Sequence, residues 1–391
     1  MSSNNFPGWP AFSAEEAEKV YQVLLSNRVN YWTGDEGRQF EKEFAEFCGS
    51  KYAIATANGT LALELALHGL GIGAGDQVIV TARTFIASVS AIVLCGAEPV
   101  FADVDPDTQN ITARTIAEVL TPRTRAIVAV HLAGWPCDME SIMELADNHG
   151  LKVIEDCAQA HGARIGGRSV GAIGDVGAWS FCQDKIMTTG GEGGMVTTND
   201  KNLWLRMWSY KDHGKSWAAV YEKEHPPGFR WLHDSFGTNA RLTEMQSAIG
   251  RIQLRRMPAW SEARQRNAEM IWNTARQLPG LRVPNIPNDV QHGAYKCYVF
   301  VVPEALNQDW NRDRIINHMN ELGMPCFEGA CSEVYLEKAF ADTSLKPAKY
   351  LPVARALGAT SMMFPVHPTL TPADINRICD ALKQTMSAAT A

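Results

Sequence analysis

One lysine in this sequence stands where chemistry, rather than solubility, would explain its position. The stretch WSFCQDKIMTTGGEGGMVTT, residues 179–198, places Lys185 between an apolar run and a glycine-rich turn. Most lysines lie on the solvated surface, but glycines allow the backbone to turn tightly beside a ligand. A desolvated lysine has a lowered pKa and can attack a carbonyl to form a Schiff base. The pattern therefore predicts that Lys185 is a catalytic nucleophile.

A second candidate is an acid at the end of another apolar run. In VIEDCAQAHGA the hydrophobic residues end in Glu155 and Asp156, and Gln159 follows three residues after the second acid. An acid at this point could be an ordinary turn residue, which is the commoner case. It could also hold a protonated ring nitrogen, because a semi-buried carboxylate favours a cation beside it.

A helix start and a serine could together bind an anion. In TANGTLAL, Gly59 and Thr60 open a predicted helix directly after a strand, and Ser180 lies near the end of the strand GAWSF. The first turn of a helix offers free backbone N–H groups to a phosphate, although an ordinary capped helix start explains the same residues. A Schiff-base lysine, an acid for a ring nitrogen and a phosphate cup are the parts that pyridoxal phosphate (PLP) requires.

These residues need a framework that brings them together. Short runs such as YAIATA, QVIVT, RAIVAVHL and LKVIED alternate with helical patterns, which indicates βαβ units and a parallel sheet covered on both faces. Ligands bind beyond the carboxyl ends of such strands, which is where the candidates lie. The glycines of GLGIGAGD, residues 69–76, do not form a dinucleotide loop, because they follow a helix and lead into a strand.

The pattern changes after about residue 242. A long helical stretch, interrupted at Pro258, is followed by the strand AYKCYVFVVP and the helices NRDRIINHMNEL and PADINRICDALKQTM. We expect a large α/β domain over residues 1–255 and a smaller α+β domain over residues 256–391. Residues 211–238 are rich in glycine, histidine and aromatic residues without a clear period, and are interpreted as a long functional loop.

Composition excludes several classes of protein. The 391 residues carry a formal charge of −7, and the absence of a basic run argues against nucleic-acid binding. Nine scattered cysteines without a CxxC pair predict reduced thiols and no metal site. The start lacks a secretory pattern, and no apolar stretch reaches the ~18 residues of a membrane span. We therefore expect a soluble cytoplasmic protein with no membrane partner.

The chain resembles the DegT/DnrJ/EryC1/StrS family of PLP-dependent sugar aminotransferases in four runs: NGTLALELALHGLGIGAGDQVIV, EDCAQAHGA, GDVGAWSFCQDKIMTTGGEGGMVTTND and GTNARLTEMQSAIGRIQL. The resemblance extends from about residue 30 to the run LPVARALGATSMMFPVHPTLT. It implies an aspartate-aminotransferase-like α/β fold (PLP fold type I). In that fold the large domain has a mostly parallel, seven-stranded sheet and the smaller C-terminal domain is α+β.

The resemblance also implies roles for individual residues. Lys185 matches the lysine that forms a Schiff base with the cofactor. Asp156 matches the partner of the pyridine nitrogen, and Gln159 matches the side chain that contacts the phenolic oxygen. Lys185 and Asp156 are therefore expected to be catalytic.

Other matches concern the remaining contacts of the cofactor. Ser180, with the backbone at Gly59 and Thr60, matches the phosphate cup. Phe85 matches an aromatic residue that stacks on the cofactor ring, a use that suits a flat apolar face. Asn239 matches a residue that reaches the phosphate from the neighbouring subunit, which implies a homodimer with shared active sites.

The activity implied is transfer of an amino group from L-glutamate to a nucleotide-linked keto sugar. Three alternatives stay open: an aminocyclitol aminotransferase that uses glutamine, a sugar dehydratase of the same family, and a non-catalytic, regulatory PLP-binding protein. The dehydratases replace the Schiff-base lysine, typically by histidine, so the presence of Lys185 argues against that reading.

Overall fold

The structure, a computed structural model, describes residues 6–390. The first five residues and Ala391, which the expected domain ranges include, lie outside this part of the chain. Within residues 6–390 no helix combines the length and the apolar composition needed to cross a membrane. The elements are α1 Ala14–Leu25, α2 Glu36–Cys48, β1 Tyr52–Thr56, α3 Gly59–Gly69, β2 Gln77–Thr81, α4 Ala87–Leu94, β3 Glu98–Ala102, α5 Ala113–Ala117, β4 Thr124–Val130, α6 Met139–His149, β5 Lys152–Asp156, β6 Arg164–Ile165, β7 Arg168–Ser169, β8 Val176–Ser180, β9 Gly194–Thr198, α7 Lys201–Lys211, α8 Trp217–Tyr221, α9 Glu244–Ala275, β10 Leu281–Arg282, β11 Val290–Gln291, β12 Lys296–Val301, α10 Arg312–Glu321, α11 Pro352–Thr360, β13 Ser361–Pro365 and α12 Pro372–Thr390.

Seven strands form the central sheet, in the order β1-β9-β8-β5-β4-β2-β3. The pairs β2 with β3, β2 with β4, β4 with β5 and β5 with β8 are parallel, and β9 is antiparallel to both of its neighbours. β2 and β8 are buried along their whole length, as expected for strands covered by helices on both faces. The mostly parallel, seven-stranded sheet expected from the sequence is confirmed.

The C-terminal part of the chain has a sheet and a core of its own. Strands β10, β12 and β13 form an antiparallel sheet, and a separate apolar cluster joins the second half of α9 to β12, β13, α10 and α12. The domain boundary expected near residue 255 falls inside α9. The division of the chain at this point stays a prediction.

One expectation about local structure was wrong, and the expected loop over residues 211–238 is mostly irregular but includes one short helix. Helix α9 runs through Pro258 without interruption, although proline removes one backbone hydrogen bond of a helix. The helix packs against α1, α2 and α12, and this packing outweighs the local cost, because tertiary contacts supply most of the stability of a helix. The loop over residues 211–238 contains helix α8, which begins where Ser216 accepts a hydrogen bond from the N–H of Ala219.

Candidate active site

A cavity of about 920 Å³ lies where the parallel strands end. Its walls come from the residues that follow β1, β2, β5 and β8, and from the start of β12 in the C-terminal part of the chain. This is the position at which parallel sheets bind ligands. Seven of the eight site residues expected from the sequence line it: Gly59, Thr60, Phe85, Asp156, Gln159, Ser180 and Lys185.

The first turn of α3 and the end of β8 form a cradle for an anion. The side-chain oxygen of Asn58 accepts a hydrogen bond of 2.9 Å from the N–H of Leu61. Among the described residues, the N–H groups of Gly59 and Thr60 have no acceptor. A Cβ atom on Gly59 would lie 2.6 Å from that of Ser180, so only glycine lets the helix start this close to the serine. The cap and the anion site coexist, because the cap uses a different N–H group.

The carboxylate of Asp156 is fixed by two hydrogen bonds at the end of β5. Its Oδ2 accepts from the hydroxyl of Ser88 at 2.8 Å, and its Oδ1 accepts from the N–H of Ala158 at 3.1 Å. Only 5% of Asp156 is exposed. The acid is therefore held in one orientation at the wall of the cavity, where it can receive a proton-bearing nitrogen.

The neighbouring acid, Glu155, has a structural role. Side chains alternate across a strand, and Glu155 is fully buried on the opposite side, away from the cavity lining. Its carboxylate accepts hydrogen bonds from His131 at 3.0 Å and from the N–H groups of Gly171, Ile173 and Gly174. Burial by itself would raise the pKa of Glu155, but the hydrogen bonds from His131 and from the backbone N–H groups outweigh it and lower the pKa. The two adjacent acids therefore lie on opposite sides of β5, and only Asp156 lines the cavity.

Among the described residues, one cluster has the side chains for a metal ion: His131, Glu155 and Cys157. Both ring nitrogens of His131 are already engaged, because Nε2 pairs with Glu155 and Nδ1 accepts from the N–H of Cys137 at 2.9 Å. A histidine needs a free nitrogen to bind a metal, so this cluster is better explained as a hydrogen-bonded core.

The amine of Lys185 is free for chemistry. Among the described residues, no hydrogen bond or ion pair is found for its Nζ atom, which lies 5.2 Å from the ring centroid of Tyr295. The backbone around it is held in place: its N–H donates to the carbonyl of Cys182 at 3.1 Å, and its carbonyl accepts from the indole of Trp9 at 2.8 Å. A half-buried amine on a fixed backbone suits a nucleophile.

Gln159 and Phe85 face the same cavity. The side-chain oxygen of Gln159 accepts a hydrogen bond of 2.8 Å from the N–H of Ala133, which leaves its amide NH₂ group as a donor. Phe85 is 68% exposed, which is unusual for so large an apolar side chain. A flat ligand against this ring would explain the exposure.

Asn239 does not line the cavity. It is exposed, and its backbone forms an isolated bridge with that of Asp212. Its expected role toward a neighbouring subunit stays a prediction.

Several residues of the site were not found from the sequence. Ser88 orients Asp156, Trp9 holds the backbone of Lys185, and Tyr295 and Lys296 form part of the cavity wall. Ser88 follows Phe85 by about one helical turn in the sequence, and this spacing is only a weak indication that both face the site. The other three come from segments far away in the chain, and no local pattern marks them.

The cavity suits PLP on the observed features. The uncapped N–H groups at the start of α3 match a phosphate, the fixed Asp156 carboxylate matches a protonated ring nitrogen, and the unpaired amine of Lys185 matches an aldehyde. The exposed ring of Phe85 matches an aromatic cofactor.

Comparison with known proteins gives the same result. The model of the DegT/DnrJ/EryC1/StrS aminotransferase family matches residues 10–383. The GDP-perosamine synthase of Caulobacter vibrioides is 38% identical over 383 residues, which cover 96% of this chain and 97% of that protein. The dTDP-3-amino-3,4,6-trideoxy-alpha-D-glucose transaminase of Streptomyces venezuelae is 35% identical over 95% of this chain and 92% of that protein. The X-ray structure of an aminotransferase from Psychrobacter cryohalolentis has a TM-score of 0.96 and 61% identity over 98% of this chain and 99% of that chain. This chain therefore belongs to the PLP-dependent DegT/DnrJ/EryC1/StrS aminotransferase family.

Proposed function

We propose that this aminotransferase moves an amino group from L-glutamate to a nucleotide-linked keto sugar, with Lys185 and Asp156 as its catalytic residues. One observation carries the assignment of residues: the unpaired amine of Lys185 shares one cavity with the fixed carboxylate of Asp156 and the anion cradle at Gly59. The names of two relatives refer to GDP-linked and dTDP-linked sugars, which supports a nucleotide-linked acceptor.

Each residue of the cavity has a distinct task in this proposal. PLP, when bound, supplies an aldehyde and an electron-withdrawing ring. The amine of Lys185 would hold the cofactor and, once free of it, would take and return the proton at the substrate carbon. Asp156, oriented by Ser88, would keep a proton on the ring nitrogen of the cofactor. Gln159 would hold the cofactor through its free amide group, and Phe85 through its exposed aromatic ring.

The remaining contacts involve the phosphate and a second subunit. Gly59, Thr60 and Ser180 would bind the phosphate at the start of α3. Asn239 of the partner subunit completes this cradle, so the active unit is a homodimer with two shared sites. We place the protein in the cytoplasm, because all nine cysteines are unpaired thiols and reduced thiols are typical of that compartment.

The experiment follows the colour of the bound cofactor. The purified protein should be yellow and should bleach when L-glutamate is added. GDP-, dTDP- and UDP-linked keto sugars are then offered, and mass spectrometry detects the amino sugar. Lys185→Ala should abolish turnover but keep part of the affinity for the cofactor, because the phosphate and ring contacts remain. Lys349→Ala, at an exposed lysine, is the matched control and should leave turnover unchanged.

Other outcomes would favour the alternatives. Bleaching by glutamine but not by glutamate would favour an aminocyclitol aminotransferase. Loss of a sugar hydroxyl without gain of nitrogen would favour a dehydratase, and colour that responds to no donor would favour a regulatory PLP-binding protein. Undiminished turnover in Lys185→Ala would refute the assignment of the nucleophile.

A further inference from the structure

A second cavity, of about 260 Å³, adjoins the first. The two cavities share Asp184, Tyr295 and Lys296 as wall residues. The remaining wall comes from residues 6–9, from Arg264 on α9, and from the segments around residues 325 and 366. A small ligand in the second cavity would therefore lie next to the cavity that Lys185 lines.

Arg264 gives this cavity a buried cation with unused donors. It is only 1% exposed, and its Nη1 donates to the backbone carbonyls of Ala294 and Tyr295 at 3.5 and 3.3 Å. Its Nε and Nη2 atoms have no hydrogen-bond partner among the described residues. Burial lowers the pKa of Arg264 to about 9, so the group stays charged near neutral pH. Unpaired donors on a buried charge are costly unless a ligand or water supplies acceptors.

Lys296 adds a second amine at the boundary of the two cavities; burial lowers its pKa, and the charge of Asp184 partly opposes this. Its Nζ atom lies 4.9 Å from the ring centroid of Tyr295, and the Nζ atom of Lys185 lies 5.2 Å from the same centroid. No ion pair is found for Lys296 among the described residues. The tyrosine hydroxyl donates to the carboxylate of Asp184, which is exposed.

The remaining wall of the cavity does not cancel this positive charge. His367 is neutral near pH 7, because burial and the charges of Arg264 and Lys296 lower its pKa to about 4. Asp184 is the only acid among the described wall residues. The second cavity therefore carries an excess of positive charge.

The shape of the free donors indicates which anion fits. Nε–H and Nη2–H lie on the same edge of a guanidinium and point in parallel, a spacing that matches the two oxygens of a carboxylate. The opposite edge of Arg264 is occupied by backbone carbonyls. Trp9 closes the cavity on one side, with its ring centroid 5.0 Å from the guanidinium carbon.

We propose that the second cavity binds a carboxylate of the amino donor, through the free edge of Arg264 and the ammonium of Lys296. The proposal rests on the proposed function, because it assumes that the donor is an amino acid such as glutamate. It deepens that function by giving the donor a subsite separate from the part of the larger cavity left for the sugar.

Glutarate, a dicarboxylate that cannot donate an amino group, is the probe. Its binding to the PLP-loaded protein is measured by titration calorimetry, so the result does not depend on turnover. Lys296→Met should weaken glutarate binding by about tenfold or more, because a charge-assisted contact is lost. Arg264→Lys keeps the charge but removes the paired donors, and should have a similar effect if the variant folds. Lys383→Met, at an exposed lysine that pairs with Asp380 on α12, is the matched control and should bind glutarate as the unsubstituted protein does.

A second titration, with GDP, UDP and dTDP, tests whether the cavity binds the carboxylate of the donor or the phosphates of the nucleotide. Unchanged nucleotide affinity in Lys296→Met, together with weaker glutarate binding, supports the proposal. Weaker nucleotide binding with unchanged glutarate binding would overturn it and assign the cavity to the phosphates of the sugar substrate. Absence of glutarate binding to the unsubstituted protein would also overturn it. Failure to aminate a keto sugar, in contrast, would contradict only the proposed function.

Discussion

At Gly59, the close packing of α3 against β8 and the proposed binding of a phosphate depend on the same residue. Gly59→Ala would place a Cβ atom 2.6 Å from that of Ser180, so the start of α3 must move away from β8. We expect PLP affinity to fall roughly tenfold to a hundredfold, because the helix N–H groups would no longer be aligned on the phosphate. Absorbance titration of the cofactor-free protein with PLP measures this change.

The control for this substitution is Gly73→Ala. The nearest atom to a Cβ at that position is the carbonyl oxygen of Cys95 at 3.6 Å, which is ordinary van der Waals contact. PLP affinity should be unchanged there. If Gly59→Ala binds PLP as tightly as Gly73→Ala does, the start of α3 is not the phosphate cradle.

Whether a site residue could be predicted from the sequence depended on how far away its partner lies. Asp156 and Ser180 end recognisable strands and Lys185 follows one, so their shared position at one sheet edge could be inferred. The partners of two of them could not be inferred. The hydroxyl of Ser88 meets Asp156 across 68 residues, and the indole of Trp9 meets Lys185 across 176. No local periodicity encodes such contacts, because they arise only when the sheet is assembled.

At the scale of elements, the N-terminal segment before α1 contacts the loop that carries Lys185 and holds its backbone in place. The indole of Trp9 donates to the carbonyl of Lys185 at 2.8 Å, and its ring packs against Trp260 and His367. Trp9→Phe keeps an aromatic ring but removes the donor. We expect about 1 kcal/mol less stability to urea and a turnover rate about tenfold lower, because small displacements of a reacting group are costly.

A second tryptophan separates the two effects. The indole of Trp204 also donates to a backbone carbonyl, that of Ala53 at 3.3 Å, but Trp204 does not line the cavity. Trp204→Phe should lower stability by a similar amount and leave turnover unchanged. Equal turnover in the two variants would mean that the segment before α1 only stabilises the fold.

Predictions for elements succeeded where one pattern dominated. Runs such as QVIVT and RAIVAVHL have continuous β-branched or apolar residues, and they became β2 and β4. Pro258 misled the prediction, because the cost of a helical proline is local while the packing that compensates for it involves three other helices. The antiparallel strand β9 follows a glycine-rich turn, and its pairing between β1 and β8 could not be read from its five residues.

At the scale of the whole molecule, one surface supports the proposed homodimer. Phe229, Trp231 and Phe236 are 77%, 82% and 101% exposed in a short segment just before Asn239. Three large aromatic side chains close together in the sequence and open to water are unusual for a monomer. A second subunit over this segment would cover the aromatic side chains and bring Asn239 to the partner's phosphate cradle.

Mixing two inactive variants tests this arrangement. Lys185→Ala lacks the nucleophile, and we expect Asn239→Ala to bind PLP too weakly for turnover at low cofactor concentration. In a mixed dimer with shared sites, one site combines both defects. The other has Lys185 from one chain and Asn239 from its partner, and is intact. Equal amounts of the two, unfolded and refolded together, should give half mixed dimers, and about a quarter of all sites should be active.

The alternative arrangements give different results in the same mixture. If Asn239 served the site of its own chain, every site in the mixed dimer would lack either the lysine or the asparagine, and no activity would return. If the protein were a monomer, mixing would likewise restore nothing, and sedimentation would give a single-chain mass. The same refolding with Lys185→Ala alone and with Asn239→Ala alone provides the baseline. Activity above that baseline requires both that two chains associate and that Asn239 acts across their interface.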